Sequence, residues 1–361
     1  MMHQTERANG TRRGVLGGQS SFRNMAGLMI ILLLTVLVSA CGNNTNTGIN
    51  EKVAASTDAS GSAQGNNSSQ TEAAETLTIK HAYGETKVPT HPKRVAVIGL
   101  EDITLSLGVP MVYAYGFDGY YLEDKLKELG IPLSGTADMK PNLEAILAAK
   151  PDLILLQQYF TDQSGYDELS KIAPTVPYAP DDWKSSITEI GKITGLEDKA
   201  QAVIQANDDK IKQAKETIVS AVGADKTVVY MRPSDKDLQV FFPSFAPLIY
   251  EKLGLHPDAS VEELKKAATD DWGINTSLEK LPSITADYVF AMYGGSISTK
   301  EEFDKEAAAT TEVEKLGLWK AMPAVKQNHV FKVSARSWMS SGPIAEGNVI
   351  DDVLAAVTGS K

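Results

Sequence analysis

The chain has 361 residues, 35 of them basic and 46 acidic, a formal net charge of −11 and one cysteine. Its length predicts about two domains, and its 42% hydrophobic and 22% charged content is enough to bury globular cores. The acidic balance excludes a nucleic-acid carrier, which needs a basic stripe. A single cysteine excludes an intramolecular disulfide and a cysteine-rich zinc site.

The first forty residues differ from the rest. Arg7, Arg12, Arg13 and Arg23 stand against Glu6, an apolar run spans Leu28 to Val38, and Ser39-Ala40-Cys41-Gly42 follows. A basic start, a short apolar stretch and small residues before a cut site predict an export signal. The run is too short for a transmembrane helix, which needs about 20 apolar residues. Val38-Ser39-Ala40-Cys41 resembles the bacterial lipobox, which implies that Cys41 is diacylated on sulfur and becomes the mature N-terminus. Such lipid would hold the protein at a membrane through its buried methylene groups. Residues 43–75 are rich in Asn, Ser, Thr, Gly and Ala and carry no aromatics. They read as a flexible tether, so the expected divisions are a signal at 1–40, a tether at 41–75 and a folded body from 76.

The body opens with Val95–Ile98, an apolar run that predicts a buried parallel strand. A helix over Asp102–Leu107 ends at Gly108 with Pro110 beyond it, and Met111–Tyr115 is the next strand. A short helix over 142–149 leads to a strand at Leu153–Leu156. Alternating strands and helices with short loops predict an α/β domain with a parallel sheet. Over 196–222, Ala200, Ile204, Ile211, Ala214, Ile218 and Ala221 recur at helical spacing between polar residues, which predicts one amphipathic helix about 40 Å long.

The earlier grammar then returns, with a strand at Thr227–Tyr230 and a helix over Ala246–Leu253. Leu107-Gly108-Val109-Pro110 answers to Leu253-Gly254-Leu255-His256-Pro257. Asn142-Leu143-Glu144 precedes Asp152 as Ser277-Leu278-Glu279 precedes Asp287, with eight residues from Glu to Asp in each case. Two matching pairs in the same order predict an internal repeat. The expected fold is therefore two Rossmann-like α/β lobes, at 76–193 and 224–361, joined by a single backbone helix at 194–223 with a ligand cleft between them.

No G-x-G-x-x-G follows a strand, and no phosphate-binding G-x-x-x-x-G-K-[ST] or G-x-S-x-G elbow is present. His3, His81, His91, His256 and His329 are scattered, so a dedicated metal site is not expected. An exported two-lobe chain without catalytic apparatus reads as a binding protein, not an enzyme.

The order Pro92-Lys-Arg-Val-Ala-Val-Ile, Leu107-Gly-Val-Pro, Pro141-Asn-Leu-Glu-Ala-Ile and Lys150-Pro-Asp-Leu-Ile is similar to bacterial ABC-transporter binding proteins of the class serving ferric siderophores, haem and cobalamin. Lys171-Ile-Ala-Pro-Thr-Val, Thr276-Ser-Leu-Glu-Lys-Leu, Ala286-Asp-Tyr-Val-Phe and Trp319-Lys-Ala-Met-Pro-Ala-Val-Lys continue the match through Trp338 and Gly342-Pro343 to Asp351. The resemblance implies a lipid-anchored monomer on the extracytoplasmic face of a Gram-positive cell, delivering an Fe(III)-siderophore to an ABC permease, with no cofactor of its own. It also implies that one acid per lobe, Glu144 and Glu279, docks on the permease; the competing reading is that both complement helix dipoles.

Three arginines follow the expected cleavage point, Arg94, Arg232 and Arg336. So few in an acidic body favour a hydroxamate or citrate–hydroxamate chelate over a triply anionic catecholate. Arg232, at a strand end where open α/β sheets place ligands, and Arg336 are the expected donors to the chelate. Trp338, Trp183, Tyr159 and Tyr293 are the expected walls, with Tyr115 and Trp272 behind them. Haem, using Met231, Met292 or His256, cobalamin, and an unrecognised tethered envelope enzyme are the alternatives.

Overall fold

A computed structural model describes residues 75–135, 139–179, 182–296 and 299–359. The expected signal, Cys41 and all of the tether but Glu75 lie outside them. No helix among the described residues is long and apolar enough to cross a membrane. The described chain opens with a hairpin of β1 (Thr76–His81) and β2 (Gly84–Pro89), which buries Ile79 and Val88 against the first lobe.

The first lobe is a parallel sheet of β3 (Val95–Ile98), β4 (Met111–Ala114), β5 (Leu153–Gln157) and β6 (Thr175–Tyr178) in the order β4-β3-β5-β6. Helices cover both faces, so every residue of β3 and β6 is buried, as a near-continuous apolar run requires. In the second lobe β7 (Thr227–Pro233) pairs antiparallel with β8 (Leu238–Phe241) and, at its other end, parallel with the two-residue β9 (His256–Pro257). β10 (Gly273–Thr276) extends the sheet beyond β8, and β11 (Tyr288–Tyr293) and β12 (Val330–Ser334) continue it in parallel on the other side of β7.

The two lobes repeat one plan. The parallel order β9-β7-β11-β12 matches β4-β3-β5-β6, and the matched aspartates do the same work. Asp152, just before β5, accepts the backbone N–H groups of Lys93 and Arg94 at 2.7 and 3.0 Å, ahead of β3. Asp287, just before β11, accepts the N–H of Thr227 at 2.9 Å, where β7 begins. Each carboxylate locks the register of the central strand pair and satisfies donors that the ladder leaves open. The helices ahead of them differ. Leu143–Ala149 is α-helical and capped by Asn142, whereas Leu278–Ser283, capped by Ser277, is a tighter 3₁₀ turn interrupted by Pro282, which lacks an N–H.

Helix Glu197–Val222 joins the lobes, and its 26 residues span about 39 Å. Ala200 belongs to the core of the first lobe, and Ile211, Ala214 and Ile218 to that of the second. The predicted stripe holds except at its last member: Ala221, in the final turn, is exposed. The helix expected over Ala246–Leu253 is instead a π-helical turn at Leu248–Lys252, closed by the Leu253 N–H on the Leu248 carbonyl. The Tyr250 hydroxyl anchors it, donating to the Phe241 carbonyl and accepting from the Tyr230 N–H, both at 2.9 Å.

Candidate ligand cavity

A cavity of about 660 Å³ lies between the lobes. On the first lobe it is built at the C-terminal strand ends, the usual ligand position in open α/β sheets. Gly99 follows β3, Tyr115 follows β4, and Tyr159 and Phe160 follow β5. The second lobe supplies Tyr230 from β7, the segment Ser244–Ile249, and Trp338–Ser341 beyond β12. Phe117, Tyr120, Tyr121, Trp183 and Phe245 complete a wall dominated by aromatic rings, the surface expected for a bulky, weakly charged ligand.

Three expected wall residues, Trp183, Tyr159 and Trp338, line this cavity. Tyr159 is 63% exposed and stands at its rim, while Trp183 and Trp338 are buried. The Trp338 indole donates to Asp352 at 2.7 Å and packs on Tyr230 and Phe290, which fixes the ring. Tyr115 also lines the cavity; Trp272 sits beside the cavity residue Phe245.

The other three ligand-site residues expected from sequence are not among the lining residues. β7 runs on to Pro233 because β8 pairs with its end, so Arg232 lies within the strand and ion-pairs with Glu306 at 3.3 Å. The Tyr293 hydroxyl donates to Glu314, with Lys332 over its ring. Arg336 spans the lobes: its Nη1 donates to the Asp118 carbonyl at 2.7 Å and its guanidinium sits over Phe303. Glu144 and Glu279 are exposed on the first turns of their helices, far in sequence but equivalent in the repeat.

Sequence reasoning missed several of the rings, among them Phe117, Tyr120, Tyr121, Tyr230 and Phe245, and three acids. Glu101 and Asp102 open the helix Glu101–Leu107, and Glu346 lies in the first turn of Pro343–Thr358; all three line the cavity. In sequence they look like ordinary first-turn acids that complement a helix dipole. Burial is what distinguishes them. It pushes Glu101 up to about 7, against the hydrogen bonds that its Oε1 accepts from the N–H groups of Gly99 at 3.1 Å and Tyr115 at 2.8 Å. Burial likewise lifts Asp102 to about 6, opposed by the N–H groups of Ile344 and Ala345 and the Tyr121 hydroxyl. Asp102 thus caps the last helix of the opposite lobe. Lys252, exposed at the edge, is the one cation among the described lining residues.

Haem would need an axial ligand here. Met231 and Met292 are wholly buried in the core of the second lobe, His256 is exposed on β9, and none of them lines the cavity. No cluster of metal-ligating side chains occurs among the described residues.

The family described as periplasmic binding protein matches residues 114–336. The chain is 31% identical over 350 residues to the iron(3+)-hydroxamate-binding protein FhuD of Bacillus subtilis, covering 93% of this chain and 98% of that one. It is 29% identical to the probable siderophore-binding lipoprotein YfiY of the same organism, over 92% of this chain and 97% of the relative. Among solved structures it is similar to an FhuD fold-family periplasmic binding protein component of a ferrichrome ABC transporter from B. subtilis. That likeness has a TM-score of 0.64 and 29% identity, covering 78% of this chain and 99% of the other. With two repeated α/β lobes, a connecting helix and a cleft between them, the chain belongs to the periplasmic binding proteins, a family of ligand carriers that are not enzymes.

Proposed function

We propose that this protein captures a ferric siderophore of the hydroxamate or citrate–hydroxamate kind outside the cytoplasm and delivers it to an ABC permease for iron uptake. The observation that carries this reading is the cavity: a ring of aromatic side chains, with no arginine among its described lining residues, at the strand ends between two lobes. An anionic catecholate complex would need several cations there, whereas a neutral tris-hydroxamate needs walls. The names of the relatives, a hydroxamate-binding protein and a siderophore-binding lipoprotein, support the same cargo. In this reading the lobes comprise 76–193 and 224–361 with the helix at 194–223 between them, and the protein acts as a monomer. Diacylated Cys41 holds it at the membrane through the 41–75 tether, and Glu144 and Glu279 meet arginines of a two-fold permease.

The test is tryptophan quenching of the full chain in detergent, titrated with ferric hydroxamates, ferric catecholates, ferric citrate, haem and cobalamin. Trp183 and Trp338 line the cavity, so an iron chelate seated there quenches them. Saturable sub-micromolar quenching by hydroxamates supports the reading. Quenching by haem or cobalamin alone would keep the carrier and replace its cargo, and no quenching by any would refute both.

A further inference from the structure

The charges facing the cavity are mostly negative, and two of these acids each hold one buried oxygen without a hydrogen-bond partner. Glu101 is 1% exposed, and its Oε1 is occupied by the N–H groups of Gly99 and Tyr115. Its Oε2 is buried and accepts no hydrogen bond. The Oε2 of Glu346 is buried and unpartnered in the same way. Asp102, between them, is satisfied by Tyr121 and by the N–H groups of Ile344 and Ala345. That clasp draws the first turns of the two helices together, with Glu101 next to one side of it and Glu346 next to the other.

Buried polar atoms are almost always paired in a native protein, and in the ionised form, which Glu101 takes above about pH 7, a carboxylate oxygen can only accept. A ferric tris-hydroxamate is neutral and presents oxygens, which offer these two atoms nothing. A primary ammonium carries three N–H donors and a positive charge, forms strong charge-assisted bonds to carboxylates and is attracted by aromatic faces such as those of Tyr120 and Trp183. Lys252 is exposed at the edge and lies in a different turn.

Resting on the siderophore reading above, we propose that the cavity selects ferric hydroxamates that carry a protonated amine, received by Glu101 and Glu346. The iron centre then lies against the rings while the ammonium reaches the acidic end. Of the two kinds proposed above this favours the plain hydroxamates, because the free carboxylate of a citrate–hydroxamate meets like charge there.

Two probes isolate the charge: the ferric complex of the linear tris-hydroxamate desferrioxamine B, which ends in an ammonium, and its N-acetylated form, which has the same iron centre and no charge. Tryptophan quenching of the full chain at pH 7.5 is expected to give at least ten-fold tighter binding of the ammonium form. In Glu101→Gln and in Glu346→Gln that ratio falls below about three-fold; because it is read within each protein, a general change in affinity cancels. Should one variant fail to fold, the other decides. Equal affinities in the parent protein, or a ratio that survives in the folded variants, overturn the assignment and leave the siderophore reading standing. Binding of neither probe overturns the assignment alone, and the siderophore reading then rests on the wider chelate series above.

Discussion

Glu101→Gln isolates the cost of keeping a carboxyl group in the cavity floor. The Gln amide oxygen can still accept from Gly99 and Tyr115, so the backbone contacts survive and only the ionisation is lost. Burial raises Glu101 from 4.5 to about 7, so between those values the folded protein holds a proton that the unfolded chain has released. The native state then binds more protons, and stability falls as pH rises, from about pH 4.5 until it levels off above about pH 7. Each pKa unit is worth about 1.36 kcal/mol, so over pH 5 to 8 the wild type is expected to lose about 2–3 kcal/mol that the Gln variant keeps. Asp102, raised to about 6 by its own burial, titrates in both proteins and largely cancels. Urea denaturation of the two proteins at pH 5, 6, 7 and 8 reads the difference. With a slope of about 3 kcal/mol per molar, the midpoints separate by nearly 1 M across the range. Parallel midpoint curves would show that Glu101 ionises at an ordinary carboxylate value and would refute the reasoning.

Three further outcomes follow from the geometry. Gly342 has φ +140°, and a Cβ there would lie 2.4 Å from the Asp102 Cγ, so Gly342→Ala is expected to cost about 2 kcal/mol or more in denaturation. Gly317→Ala, with open space around it, is expected to cost almost nothing, and equal effects would discount the clasp. Arg232→Ala removes a half-exposed ion pair outside the cavity, so chelate affinity by quenching is expected to stay within two-fold; a larger loss would return Arg232 to the site. Replacing Glu144 and Glu279 together by Ala is expected to leave chelate affinity intact and abolish uptake of labelled iron by cells, and unchanged uptake would sink the docking role.

The architecture was legible because it is written in local pattern. Apolar runs marked β3, β5 and β7, helical spacing marked Glu197–Val222, and the Glu-to-Asp spacing exposed a repeat that the strand orders and the paired roles of Asp152 and Asp287 bear out. The cavity was legible where it follows from strand ends, as at Tyr159 beyond β5. It was not legible where a long-range pairing moves the end of a strand. β8, inserted after β7 and absent from the first lobe, extends β7 past Arg232 and turns that residue toward Glu306. Glu101 and Glu346 escaped notice for a related reason. A first-turn acid reads the same in sequence whether water or another lobe faces it, and only packing decides which.

That packing bears on how the protein moves. Several connections among the described residues cross between the lobes. Helix Glu197–Val222 buries residues in both cores. Asp102 caps Pro343–Thr358, and Lys210 of the long helix bonds the Gly347 carbonyl of the same last helix at 2.9 Å. Arg336 reaches Asp118. A wide hinge closure would strip the buried Asp102 of its donors and tear residues such as Ile211 from a close-packed core, so ligand binding is expected to shift the lobes by only about 1–2 Å, as in packed helix shifts. A pre-formed cavity binds well because little ordering remains to be done on association, and the separation of Glu144 and Glu279 then stays nearly constant. Spin labels on the exposed positions Leu147 and Leu318, one per lobe, measure this directly with and without ferric hydroxamate. A change of about 10 Å would mean that the clasp opens on binding and would refute the small-tilt reasoning; a change near the expected value would mean that the clasp holds and that the bound protein differs from the free one by a small tilt.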